Sequence, residues 1–291
     1  MQRVLLVFTL VLVASVLQAQ NMPKTILWKV SKPGSKNESF LFGTFHEVSP
    51  FFFNSLPNAV SKLQQSNILF VEERMAAAKA LLPEEQPLWN YNRWKKTLSQ
   101  AQAQIFTDFV NKAEDSSYYK LDPLLLTLTT SRLYLTNFCN TDPVLSELMD
   151  HYIEKLAIKQ QKQIYSLDGN QNAMLHQEAK RFSAPEDSMY ATYAIHFMKS
   201  MLNNDTTSCQ IVSAYKKFDL NYELNLDITR SASHSPLLIE RNTKWTQILD
   251  KAFAANNCFV AVGVRHLFYK QGLIQQLRTL GYQVTPVPTA Q

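Results

Sequence analysis

Glycine is scarce in this chain: six in 291 residues, against a usual share of roughly 7%. That leaves no glycine-rich phosphate loop. Other signatures are missing too. No G-x-S-x-G marks an α/β-hydrolase nucleophile, and neither H-E-x-x-H nor C-x-x-C occurs. The three cysteines, Cys139, Cys209 and Cys258, match no zinc spacing. The formal charge of +5 is spread along the chain without a Lys/Arg block, which argues against a nucleic-acid partner. Beyond the first twenty residues, no apolar run is long enough to span a bilayer. With 46% hydrophobic and 18% charged residues, what remains is an ordinary globular chain with material for a sizeable core.

What is present begins at the N-terminus. Arg3 precedes an apolar run from Val4 to Leu17, and Gln18-Ala19-Gln20 follows. This is the layout of a secretory signal peptide, residues 1–19, cut after Ala19. The run is shorter than the ~20 residues that a membrane anchor needs. The mature protein, residues 20–291, is therefore expected to be exported, periplasmic or secreted, with no stable membrane span. An oxidising compartment permits a disulfide, and Cys139 and Cys209 both fall in the middle region.

Short apolar runs punctuated by turn residues read as strands. Leu27 to Val30 and Phe40 to Gly43 flank the turn Lys32-Pro33-Gly34. Leu56, Ala59, Val60 and Leu63 have helical spacing, and NILFVE, residues 67–72, is a second buried strand. Residues 40–72 thus predict a βαβ unit with a parallel, right-handed crossover. It places His46 just after one strand and Glu72 at the carboxyl end of the neighbouring strand. A helix over 143–159 leads to the strand QIYSL, closed by Asp168-Gly169. A long helix, about 237–255, precedes a second unit: strand 257–263, helix 272–280 and strand 282–287. The stretches 74–142 and 170–235 are helical in pattern and rich in aromatics. Together they predict a single α/β domain, a central mainly parallel sheet with flanking helices and a large helical insertion, about 74–235.

Gly43-x-x-His46 and Gly263-x-x-His266 both stand at strand ends. Random placement would give roughly 0.12 such pairs in this composition. His46, Glu72, Asp168 and His266 therefore all fall at carboxyl ends of strands, where open α/β sheets bind ligands. Two imidazoles with one or two carboxylates are a common set of donors for a divalent ion. The competing reading is structural. A strand-end histidine can be a hydrogen-bonded packing residue, Glu72 can pair with a basic side chain, and Asp-Gly is a frequent turn. Glu73 competes with Glu72, since alternation sends them to opposite faces. His196, flanked by aromatics, reads as core or groove lining. His151, His176 and His234 have no evident partner.

The stretches LFGTFH, SLPNAV, ILFVEE, SLDG, ERNTKW and FVAVGVRHL followed by GLIQQLRTLGYQV resemble the TraB/GumN family, which is related to the Tiki metalloproteases. The resemblance runs from about Leu27 to Val287. It implies an α/β fold shared with erythromycin-esterase-like and ChaN-like proteins. It also implies a divalent metal ion (Mn, Co or Zn) held by His46, Glu72 and His266, the two motif histidines and the motif acid. Asp168 stands where the family usually has Glu, and Tyr269 where a glycine often follows the second motif. Arg241 and Asn242 match an Arg-Asn pair. Tiki proteins are proteases that trim extracellular signalling proteins, TraB-type members are linked to control of a peptide pheromone, and most GumN-type members have no defined substrate.

Two expectations follow. The first is an exported metal-dependent hydrolase, a peptidase acting on a peptide or protein segment, with Asp168 as a fourth ligand or base and Arg241 near the oxyanion. The second is a non-catalytic peptide- or ligand-binding protein of the cell envelope. Trp89, Tyr91, Trp94, Tyr118, Tyr119, Tyr190, Tyr193 and Phe197 lie in the insertion. Most are expected in core, with some left to line a groove for an extended chain.

Overall fold

The computed structural model describes residues 23–75, 89–139, 148–230 and 236–289. The signal-peptide reading, on residues 1–19, lies outside them, as does His234. Strand β1 (Leu27–Ser31) turns at Gly34, where φ is +82°, into β2 (Glu38–Thr44) as an antiparallel hairpin. Two short helices follow, α1 (Pro50–Asn54) and α2 (Pro57–Gln65), each with proline in its first turn, where the missing N–H costs nothing. Strand β3 is Ile68–Val71. The insertion supplies α3 (Tyr91–Thr97), α4 (Gln100–Ala113) and α5 (Pro123–Tyr134). Then α6 (Met149–Lys159) and β4 (Gln163–Ser166) return to the sheet. After α7 (Gln171–Ala179), α8 (Ala184–Asn203) and α9 (Gln210–Lys216), the long α10 (Pro236–Ala255) leads to β5 (Cys258–Gly263), α11 (Leu273–Thr279) and β6 (Gln283–Val287).

The six strands lie in the order β4-β3-β5-β2-β1-β6. Only β1 runs against the others, since β2, β5, β3 and β4 pair in parallel and β6 is antiparallel to β1. The sheet is thus mixed and mostly parallel. One expectation is corrected: β2 and β3 are not neighbours. Strand β5 lies between them, with Phe40 opposite Phe259 and Leu69 opposite Phe259 on its two sides. The physical reason is composition. CFVAVG is apolar throughout and buried along nearly its whole length, so it fits where both faces and both edges are covered. Strand β4, with alternating exposed and half-buried residues, stays at the rim. The order brings the carboxyl ends of β2, β5, β3 and β4 side by side.

The insertion comes in two pieces around α6 and β4. Its helices close a second apolar cluster, with Trp94, Phe106, Leu126, Tyr134, Ala194 and Met198 at its centre. Leu135 and Cys139 pack on this cluster and on the sheet core alike. The Cys139–Cys209 disulfide ties the turn after α5 to the turn before α9. Trp89, Trp94, Tyr118, Tyr119 and Phe197 belong to this cluster, whereas Tyr91 and Tyr193 are exposed. Of the two readings of His196, core or groove lining, the core one is excluded: the residue is exposed, and its Nε2 meets the Ser208 hydroxyl at 3.2 Å. Among the described residues, no helix is long and apolar enough to cross a membrane.

Candidate functional site

The acids arrive together because the β3–β4 ladder runs on past both strands. Leu167 N–H donates to the Val71 carbonyl and Asp168 N–H to the Glu72 carbonyl, each at 2.9 Å. Alternation then sends Glu72 inward, 8% exposed, while Glu73 Oε1 accepts the Gln171 N–H at the start of α7 at 3.0 Å. On β5, a tight 3-10 turn over Val264–Leu267 puts His266 in the same pocket.

Arg241 on α10 occupies the centre. Its Nη2 donates to Glu72 Oε2 at 2.5 Å and to Asp168 Oδ2 at 2.7 Å. Its Nε donates to Asp168 Oδ2 at 3.0 Å, and its Nη1 to His266 Nε2 at 3.2 Å. Trp245, one helical turn later, stacks under both the guanidinium (4.5 Å) and the His266 ring (4.3 Å), and its Nε1 donates to Asp168 Oδ1 at 2.8 Å. Gln171 Nε2 bridges Glu72 Oε2 at 3.0 Å and Asp168 Oδ2 at 3.3 Å. Glu72 Oε1 accepts the Gly263 N–H at 2.6 Å and faces His266 Nε2 at 3.6 Å.

The state of His266 follows from its neighbour. Asn242 Nδ2 donates to the carbonyls of Gln271 (2.9 Å) and His266 (3.4 Å), so its Oδ1 must be what meets His266 Nδ1 at 2.6 Å. Nδ1 therefore carries the proton and Nε2 presents a lone pair to the pocket. Burial pushes this imidazole down to about 3 against the pull of Glu72, so it is neutral at pH 7. For Glu72, burial opposes the charge, but the Arg241 and His46 charges and the Gly263 N–H hold the carboxyl well below its usual range. With His266 neutral, Arg241 is the cation that this carboxylate meets directly.

His46 stands apart. Its Nδ1 donates to Asp150 Oδ2, and Asp150 Oδ1 accepts from Thr44 Oγ1 at 2.5 Å. The Asp150 charge pushes the ring up to about 10, burial pulls the other way, and Glu72 and Glu47 add to the rise. The side chain is 44% exposed, so water screens this pair more than the buried one. No hydrogen bond or ion pair joins His46 directly to Glu72, Asp168 or Arg241. It acts on Glu72 and His266 only through its charge.

Residues 26–286 match the model of the TraB/PrgY/gumN family. The chain belongs to that family. No curated protein and no solved structure matches it. The TraB/PrgY/gumN match spans β1 to β5, all but the last residue of β6, and every residue of the pocket.

Whether these residues suit a divalent ion can be judged from their bonding. Metal-bound histidines usually donate their second ring nitrogen to a fixed acceptor. His46 does so to Asp150 and His266 to Asn242, which turns both Nε2 atoms away from these partners, with Glu72 as the oxygen donor; the His266 Nε2 lone pair accepts from Arg241 Nη1, so an ion would have to displace that contact. The donor chemistry fits. The closure is incomplete: among the described residues, no three His, Cys, Asp or Glu side chains converge as a cage, and Arg241 holds the acids. The cavity of about 190 Å³ lined by Lys32, Asn37, Phe253 and Tyr282 lies at the opposite edge of the sheet and contains none of these residues.

Three site residues gave little sign in the sequence. Trp245 is the most readable, because ERNTKW puts Arg241, Asn242 and Trp245 within one helical turn. Gln171 gave only its position three residues after Asp168. Asp150 gave none, since it sits 104 residues from its partner His46.

Proposed function

We propose that this TraB/PrgY/gumN protein is an exported metal-dependent hydrolase acting on a peptide or protein segment. The observation that carries the reading is the matched pair of histidines at the carboxyl edge, each held through Nδ1 by an oxygen acceptor, with buried Glu72 beside His266. His46, Glu72 and His266 would hold the ion, with Mn, Co or Zn suited to these donors. When bound, such an ion supplies Lewis-acid polarisation and lowers the pKa of water.

The chain's own residues have separable tasks. Asn242 fixes His266 as the Nδ1–H form. Arg241 keeps Glu72 ionised in a buried position. Asp168 receives two of the three guanidinium nitrogens, so Arg241 keeps a counter-ion even when Glu72 turns to another cation. Trp245 and Gln171 hold Asp168 in that role. The exposed Phe51, five residues after His46, offers an apolar contact at the rim. The leader-like N-terminus and the Cys139–Cys209 bridge favour an oxidising, exported setting.

A second reading, a ligand-binding protein of the cell envelope without turnover, draws support from Arg241, which already neutralises the acids. Incubating the mature protein with a peptide library separates the two. Cleavage that needs Mn²⁺, stops with chelator and disappears in His46→Ala and His266→Ala is expected. Peptide capture without cleavage at any added ion would leave the second reading. Unchanged ion affinity in the double variant would overturn the metal site.

A further inference from the structure

We infer that Asp150, buttressed by Thr44, is the positioning residue that presents His46 at the sheet edge. The inference rests on the reading above for what His46 then meets, but its geometry is independent. His46 lies in a turn two residues past β2 and is 44% exposed, so packing alone does not orient its ring. The hydrogen bond from Nδ1 to Asp150 Oδ2 does. Asp150 is itself fixed: its second oxygen accepts from Thr44 Oγ1 at 2.5 Å. Thr44 is fully buried, ends β2 and stands opposite Gly263 on β5. A rigid path thus runs from the ladder through Thr44 and Asp150 to the imidazole.

Two further features support the assignment. Asp150 sits in the first turn of α6, where the helix N-terminus favours a carboxylate. That helix is anchored in the sheet core by Met149, Ile153 and Ala157. The backbone leading to His46 is pinned from α9, where Tyr215 donates its hydroxyl to the Gly43 carbonyl at 2.8 Å and its ring packs on Phe45 at 5.3 Å. The choice of a charged acceptor also has a reason. A ring in contact with water needs an acceptor that outcompetes water, and a carboxylate makes the stronger bond. Buried His266 faces no such competition, and neutral Asn242 serves there.

Nuclear magnetic resonance of metal-free protein reads the bond directly, and calorimetric Zn²⁺ titration reads its consequence. Wild type should show a slowly exchanging, downfield His46 Nδ1–H. Asp150→Leu should lose it and bind Zn²⁺ about 10–100-fold more weakly, the usual cost of losing such an outer partner. Asp150→Asn, which copies the Asn242 arrangement, should restore much of both. The His266 Nδ1–H should stay in place throughout. Thr44→Val, a milder change, should broaden the His46 signal if Asp150→Leu does not fold. A His46 signal that survives both Asp150→Leu and Thr44→Val overturns the inference. If wild type binds no Zn²⁺ yet the signal responds as described, the positioning role stands and the metal reading falls.

Discussion

The two Gly-x-x-His turns share a spacing and almost nothing else. After β5, His266 is 6% exposed, neutral and clamped by an uncharged amide. After β2, His46 is 44% exposed, cationic and clamped by a carboxylate. Even the glycines differ in purpose. Neither needs a left-handed backbone; both make room. A Cβ at Gly43 would lie 2.7 Å from Val264 Cγ2 and 3.1 Å from Leu267 Cδ1, so this glycine makes space for the other turn. A Cβ at Gly263 would lie 3.0 Å from Glu72 Oε1, so that one makes space for the acid. A repeated motif can therefore deliver two unlike chemical positions to one edge, because tertiary neighbours, not spacing, decide each environment.

The largest test of this contrast is charge removal on each side. Arg241→Met strands two buried carboxylates and should cost about 3–5 kcal/mol in urea unfolding. Asp150→Leu leaves His46 with access to water but strands the buried Thr44 hydroxyl, and should cost about 1–3 kcal/mol. Equal losses would mean that the two halves are not as different as their burial suggests. Next come the glycines. Gly43→Ala overpacks the contact between the turns and should lose about 1–3 kcal/mol. Gly263→Ala should cost less stability, yet weaken ion binding by displacing Glu72. The reverse pattern in paired melting and titration curves would reject this division of labour.

The last test is the pH dependence of metal-free protein. His266 is held below its ordinary 6.5, so the unfolded chain takes up a proton that the folded chain refuses. Stability should fall as pH drops from about 6.5 towards 3. Glu72, held below its ordinary 4.5, adds to that loss only below about 4.5. His46 is raised to about 10, so its contribution is whole below about 6.5 and fades as pH climbs to 10. Urea midpoints in chelator should peak near pH 6.5. His266→Gln should flatten the acid limb between 6.5 and 4.5, and His46→Gln the alkaline one. Limbs that respond to the wrong histidine would break the comparison.

Much of this arrangement is legible in the sequence, for a physical reason. Apolar runs such as NILFVE and NCFVAVG announce buried strands, and polar residues directly after them must emerge at a sheet edge. Glu72, Asp168 and His266 are found that way. The lateral order is not legible, because an apolar run states that a strand is buried but not between which partners; β5 therefore separates strands that the sequence suggests are adjacent. Asp150, Gln171 and Trp245 are hidden for a related reason. Each belongs to a helix whose period reports the face it buries, while its polar contact is made at a helix end or flank with a distant segment. For His196 only the core alternative fails, since aromatic neighbours on an amphipathic helix need not share its face.

The central position of β5 also sets the order of assembly. Phe40 and Phe259 are paired across 219 of the chain's 291 residues, so β2 and β3 each keep one unsatisfied edge until the last segment arrives. Contacts this remote in sequence are slow to form. The chain should thus linger as an open, protease-sensitive species with a formed insertion and an unclosed sheet, and a version ending at residue 257 should remain there. Pulse proteolysis of the two lengths during refolding would show it as a delayed, all-at-once gain of resistance in the full chain alone.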